Sequence, residues 1–225
     1  MVPLWFTVLS WLWLTLGIAS FLYILVQVRK NPPHMAIMAW VWPICGLFGG
    51  PLMIWFHWRW SGHGDSPFPI SVAKGTLHCG AGCTLGDLAA ENLALIVPAV
   101  LIPFGWPGLW EDKIFAVWGL DYVFALVIGI VFQYFAIAPM RNLGFGEGIK
   151  EATKADVASL SSWQIGMYGM MAIFHFLVFK GLWDAKIDAR DPEFWFAMQI
   201  AMMAGFVTAY PVNWLLIRKG IKEEM

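Results

Sequence analysis

Cys79, Cys83, Asp87 and Glu91 recur at every fourth residue of one apolar stretch, and His78 stands beside the first of them. At 3.6 residues per turn this spacing lays the four side chains in one slowly drifting stripe along a helix. Two thiols and an imidazole within about one turn are ligands for a soft metal, copper(I) or zinc. Carboxyl groups continuing the same stripe can relay protons or pair with a passing cation. A disulfide between Cys79 and Cys83 is not expected, because parallel side chains one turn apart do not match the Cβ geometry of such a bond. Gly80, Gly82 and Gly86 occupy the same turns. Small residues four apart let a neighbouring backbone approach closely in a membrane; the other reading is that they clear space for an ion or cofactor.

The stripe must be held by something, and the composition says what. The chain has 225 residues, of which 60% are hydrophobic and 13% charged, against about 25% charged in ordinary soluble domains. The net charge of −1 leaves no basic excess, which excludes a nucleic-acid binder. Six apolar segments stand out, at about 3–28, 35–58, 75–104, 114–140, 160–179 and 194–217. Each is long enough for the ~20 residues of a membrane-spanning helix, and none has the alternating pattern of a barrel strand. The first lacks the positive flank of a signal peptide and exceeds the length of its apolar core, so it reads as a retained helix. The expectation is an all-α integral membrane protein, one domain over residues 1–225, built as a bundle of six transmembrane helices. Of 29 charged residues, 26 lie outside the segments. The three inside are Asp87, Glu91 and Asp121, all acidic. A carboxylate at bilayer depth costs several kcal/mol unless protonated, paired or hydrated, so the stripe is expected to face the bundle interior.

Six crossings put both termini on one side. Eight Lys and Arg residues fall on that side and six on the other. That excess leans towards cytoplasmic termini, although Arg29 and Lys30 directly after the first helix argue the other way. The polar segment from Pro139 to Ser159 reads as a connection whose portion 147–158 forms a surface helix. A rise of 1.5 Å per residue then places His175 at the depth of Asp87, Asp121 near Glu91, and Tyr210 and Asn213 near His78. The candidate metal ligands are therefore His78, Cys79, Cys83, Asp87 and His175, and a polar pathway adds Glu91, Asp121, Tyr210 and Asn213. Cys45 and the pairs Met170–Met171 and Met202–Met203 read as packing. His34, His57 and His63 are expected at helix ends or in a loop, with His57 or His63 able to guide a metal towards His78.

Residues 78–87, His-Cys-Gly-Ala-Gly-Cys-Thr-Leu-Gly-Asp, resemble the signature of a bacterial multi-pass membrane family known only as a domain of unknown function. Its pattern is similar to His-Cys-x-x-Gly-Cys-x-x-Gly followed by an acid, matched by His78, Cys79, Gly82, Cys83, Gly86 and Asp87. The likeness extends from the second helix to the C-terminus. It implies the membrane fold, in a bacterial inner membrane, and brings no activity.

The leading functional reading is binding or transport of a soft transition-metal ion, with copper foremost and zinc beside it. Two others remain open. One is a haem or thiol redox protein with His78 and His175 as axial ligands. The other is an accessory or structural subunit, whose partners beyond the lipid bilayer would be its own copies or other membrane proteins. No Gly-x-Ser-x-Gly elbow, His-Glu-x-x-His pair or phosphate loop occurs, so the reading leans away from an enzyme.

Overall fold

The computed structural model describes residues 1–62 and 66–224; His63 falls outside them. All six apolar segments are helical, and with their connections they form an all-α bundle. The helices are α1 (Leu4–Lys30), α2 (Met38–Trp60), α3 (Phe68–Ile96), α4 (Lys113–Arg141), α5 (Phe145–Ala172) and α6 (Pro192–Arg218). A short 3₁₀ segment, Pro98–Phe104, leaves the end of α3 at a bend of 112°. A π-helical stretch, Ile173–Leu182, continues α5.

Local chemistry sets the ends. Asp112 caps α4 by accepting a hydrogen bond from the Ile114 N–H at 3.2 Å, and Pro192 fills the first turn of α6, where its missing N–H costs nothing. Two expected boundaries move. The third segment begins at Phe68 and stops at Ile96, where the chain turns aside. The polar stretch 145–158 is no separate surface helix: it is the first half of α5. Ala152, Ala155, Asp156, Ser159 and Trp163 share one buried stripe of that helix, so its polar look belonged to the outer face alone.

The second segment takes an unexpected course. Gly50 has φ 52° and ψ −137°, a left-handed break inside α2 that suits a residue without a Cβ. Pro51 then restarts the helix. The Trp42 ring lies 5.3 Å from that of His57 and 5.7 Å from that of Phe56. In a straight helix residues 42 and 57 would stand about 22 Å apart. The two halves of α2 therefore fold against each other as a hairpin with its tip at Gly50. Both ends of the hairpin lie at the end of the bundle reached by α1, where His57 and Ser61 share a cleft with Gln27 and Asn31.

The other helices run from end to end. The Met1 ammonium donates to the Trp183 carbonyl, and the Thr7 hydroxyl to Glu193 at the start of α6. At the opposite end Lys222 reaches Gly75 of α3, and Arg141 pairs with Glu223. The two termini thus occupy opposite ends of the bundle, a correction to the expectation of one side. The physical reason is the hairpin, which removes one passage from an even count.

Helix α3 is the axis. It packs against α2, α4, α5 and α6, and every residue from Ser71 through Thr84 is buried. Its seam with α4 needs small residues. A Cβ on Gly86 would lie 2.6 Å from the Ala125 backbone nitrogen, and one on Gly82 would lie 3.1 Å from Gly129 Cα. Close packing thus accounts for these two glycines.

Candidate functional site

The predicted stripe lies in the protein interior. Cys79 and Cys83 are fully buried, His78 and Asp87 are 1% exposed, and Glu91 is 7% exposed. Asp121 of α4 and Asn213 of α6 are fully buried as well. All three cysteines are free, and the Cys45 thiol donates to the Leu77 carbonyl at 3.2 Å, a packing role.

Helix α5 adds an acid that the sequence reading passed over. The Asp156 carboxyl is fully buried and rests on Gly129 of α4. It adjoins the Cys79 thiol and lies within electrostatic reach of Cys83. Gln133, also unforeseen, and Gln164, expected near the level of His78, are buried beside the same helices. Lys222, beyond the end of α6, folds back into the interior. Its ammonium donates to Asn213 Oδ1 at 2.7 Å and to the Gly75 carbonyl at 3.1 Å. Asn213 in turn donates to Ser159 Oγ at 2.8 Å.

These residues form a column. Lys222, Asn213 and His78 stand towards the C-terminal end, followed by Asp156 with Cys79 and Cys83. Asp87 and Asp121 come next, then Glu91, the three acids within electrostatic reach of one another. Glu91 opens into a cavity of about 240 Å³ at the N-terminal end, shared with Asp112, Lys113, His175, Lys180 and Asp188. Along this column the carboxyl groups of Asp87, Asp121 and Asp156, both ring nitrogens of His78 and the amides of Gln133 and Gln164 have no hydrogen-bond partner among the described residues. Buried polar groups are nearly always satisfied, so a line of unpartnered groups sets this column apart from the apolar interior around it.

Two expected members stand elsewhere. His175 does not share the depth of Asp87: its Nε2 lies 2.9 Å from Asp112 Oδ2 at the mouth of the Glu91 cavity. The depth estimate started α5 at residue 160, and the helix starts at Phe145. Tyr210 lies outside the column, its hydroxyl donating to the Pro69 carbonyl at 3.1 Å. The five candidate ligands do not close around one point, and among the described residues no group of three or more His, Cys, Asp or Glu is placed to hold a metal ion.

At the cavity mouth the Asp112 carboxyl is held as an anion. Partial burial works to raise its pKa, but Lys180, His175 and the Ile114 N–H outweigh this and hold it down at about 2.

The model of a family described as a domain of unknown function, DUF4396, matches residues 70–222. The chain belongs to this family. The match begins in the first turn of α3, later than the second helix from which the resemblance was expected to run. The DUF4396 region therefore holds the whole column from Lys222 to the His175 cavity, while α1 and the α2 hairpin precede it. Comparison with curated proteins and with solved structures returns no match.

Proposed function

We propose that this DUF4396 protein is a multi-pass membrane protein that passes a cation through the bilayer along the α3–α4–α5 column. The observation that carries the proposal is the file of unpartnered carboxyls at Asp156, Asp87 and Asp121, continued by Glu91 into an open cavity. Carboxyl oxygen every turn or so offers a cation successive stations, none so complete that it traps the ion. A soft ion such as copper(I) is the cargo favoured by Cys79 and Cys83, since adjoining thiols select it and a two-thiol station needs no third ligand. Ten of the fourteen Lys and Arg residues fall at the C-terminal end once Arg29 and Lys30 are counted there. By the positive-inside rule that end faces the cytoplasm of a bacterial inner membrane.

The test is flux in proteoliposomes. Purified protein is reconstituted with a copper(I) indicator inside, and uptake is followed under reducing conditions. Uptake is expected from the wild type, with a loss of tenfold or more in Asp87→Asn and in the double variant Cys79→Ser, Cys83→Ser. Uptake no faster than in empty liposomes, or equal uptake by all three proteins, overturns the proposal. Zinc and proton indicators in parallel vesicles identify the cargo.

A further inference from the structure

The segment after α6 puts one side chain into the bundle. Gly220 has φ 66°, a left-handed cap that suits a residue without a Cβ. The N–H groups of Ile221 and Lys222 then return to the Leu216 carbonyl at 3.0 and 3.3 Å, so the chain turns back along α6. Of residues 219–224 only Lys222 is buried, at 2% exposed. Its stem passes Gly75, where an added Cβ would lie 3.9 Å from Cε. Its ammonium ends between α3 and α6, on the Gly75 carbonyl and Asn213 Oδ1. In a helix the carbonyl of residue 75 points towards residue 79, so the ammonium stands about one turn from Cys79 along α3.

The seat of this lysine is uncommon. Buried charges are as a rule paired, yet Lys222 forms no ion pair among the described residues. Both acceptors are neutral oxygens, the kind that replaces the water shell of a small cation in a pore. On the outside the segment is held by Arg141, which pairs with Glu223 and donates to the Gly220 carbonyl at 3.1 Å. The side chains of that pair are 31% and 25% exposed, and an ion pair in contact with water is weak. The segment can therefore lift without unwinding a helix.

We infer that Lys222 is a tethered plug. Its ammonium occupies the first cation station of the column, formed by Asn213 Oδ1 and the Gly75 carbonyl, and it must withdraw before an ion can enter from the C-terminal end. A free cation arriving there meets a seat already taken and a like charge. The inference rests on the reading of the column as a cation path, whichever ion is carried.

The experiment measures entry directly. A membrane-impermeant cationic thiol reagent, 2-(trimethylammonium)ethyl methanethiosulfonate, is added at the C-terminal side of oriented vesicles holding the full chain. Modification of Cys79 and Cys83 is followed by mass spectrometry. The anionic 2-sulfonatoethyl methanethiosulfonate is run beside it. Slow modification of the wild type is expected. Lys222→Met, which keeps an apolar stem and removes the ammonium, should raise the rate with the cationic reagent at least tenfold and with the anionic one far less. Glu223→Gln, which loosens the outer hold alone, should raise it severalfold, and Glu224→Gln should match the wild type. A clasp with a purely structural role predicts another pattern: Lys222→Met would loosen the bundle and admit both reagents alike. Equal rates in wild type and Lys222→Met, or equal gains for the two reagents, overturn the inference. Should Lys222→Met fail to fold, an unchanged rate in Glu223→Gln overturns it. Copper(I) uptake by the same variants keeps the two proposals apart. Faster cationic modification in Lys222→Met, with no uptake by any of the proteins, removes metal passage and leaves the plug.

Discussion

The Trp42 indole meets the His57 imidazole edge-on at 5.3 Å, although the two sit near opposite ends of one apolar segment. That contact makes α2 a hairpin, and it fixes which loops share a face. In a background with the native cysteines replaced, Asn31→Cys, Ser61→Cys and Glu224→Cys should all react with a membrane-impermeant maleimide from one side of oriented vesicles. Leu109→Cys should react from the other. Labelling of Asn31→Cys and Ser61→Cys from opposite sides would show a straight crossing.

The α3–α4 seam predicts an order of tolerance. Gly86→Ala drives a methyl into the Ala125 backbone, which cannot move as a side-chain tip can. Its cost should be about 2 to 3 kcal/mol, at the upper end of overpacking. Gly82→Ala meets Gly129 at 3.1 Å and should cost less, about 1 kcal/mol. Gly169→Ala has nothing within 4 Å and should leave the melting temperature unchanged or raise it. Thermal unfolding in detergent ranks the three.

Lys222 predicts a stability loss from a residue at the far end of the chain. Lys222→Ala removes two charge-assisted hydrogen bonds and strands Asn213 Oδ1 in the interior. The expected loss is about 2 to 3 kcal/mol, read as a lowered denaturation midpoint. Removing Glu224, one residue from the C-terminus and touching none of these groups, should have little effect.

Asp112 predicts an acid limit. Its pKa is depressed to about 2, from an ordinary value of about 3.9. A depressed carboxyl contributes stability that is fully present above the unfolded pKa and disappears as pH falls through the folded one. The gap in melting temperature between wild type and Asp112→Asn should therefore stay constant from pH 7 to about 4, then shrink between about 4 and 2. A gap that does not change with pH in that window would remove the ionic account.

Much of the site was legible because a four-residue spacing in an apolar run has one physical outcome. That spacing and the apolar run around it place Cys79, Cys83, Asp87, Glu91 and Asp121 inside, where they are found. Asp156 was hidden by its neighbours: Glu147, Lys150, Glu151 and Lys154 make the same stretch look like surface. The buried stripe of Ala152, Ala155, Asp156, Ser159 and Trp163 was present at helical spacing and could have been found by asking about one face at a time. Missing the early start of α5 also misplaced His175 by several turns. The course of α2 was written in Gly49-Gly50-Pro51, a helix break in the middle of a segment. Hydropathy could not reveal it, because a hairpin and a crossing expose the same apolar residues to the same lipid.

The hairpin also has a timetable. Irregular backbone at membrane depth is tolerated only where protein covers it, and the Leu47 carbonyl near the tip is covered by Gln199, 152 residues later in the chain. At ordinary synthesis rates that interval is roughly 8 to 30 s. During it α2 cannot yet hold its final form, and it must wait at the interface or lie provisionally in the bilayer. The last helix to leave the ribosome is therefore the one that permits the second to settle. Truncation before α6 should release a chain whose N-terminal third is trapped in a topology that the finished protein does not use.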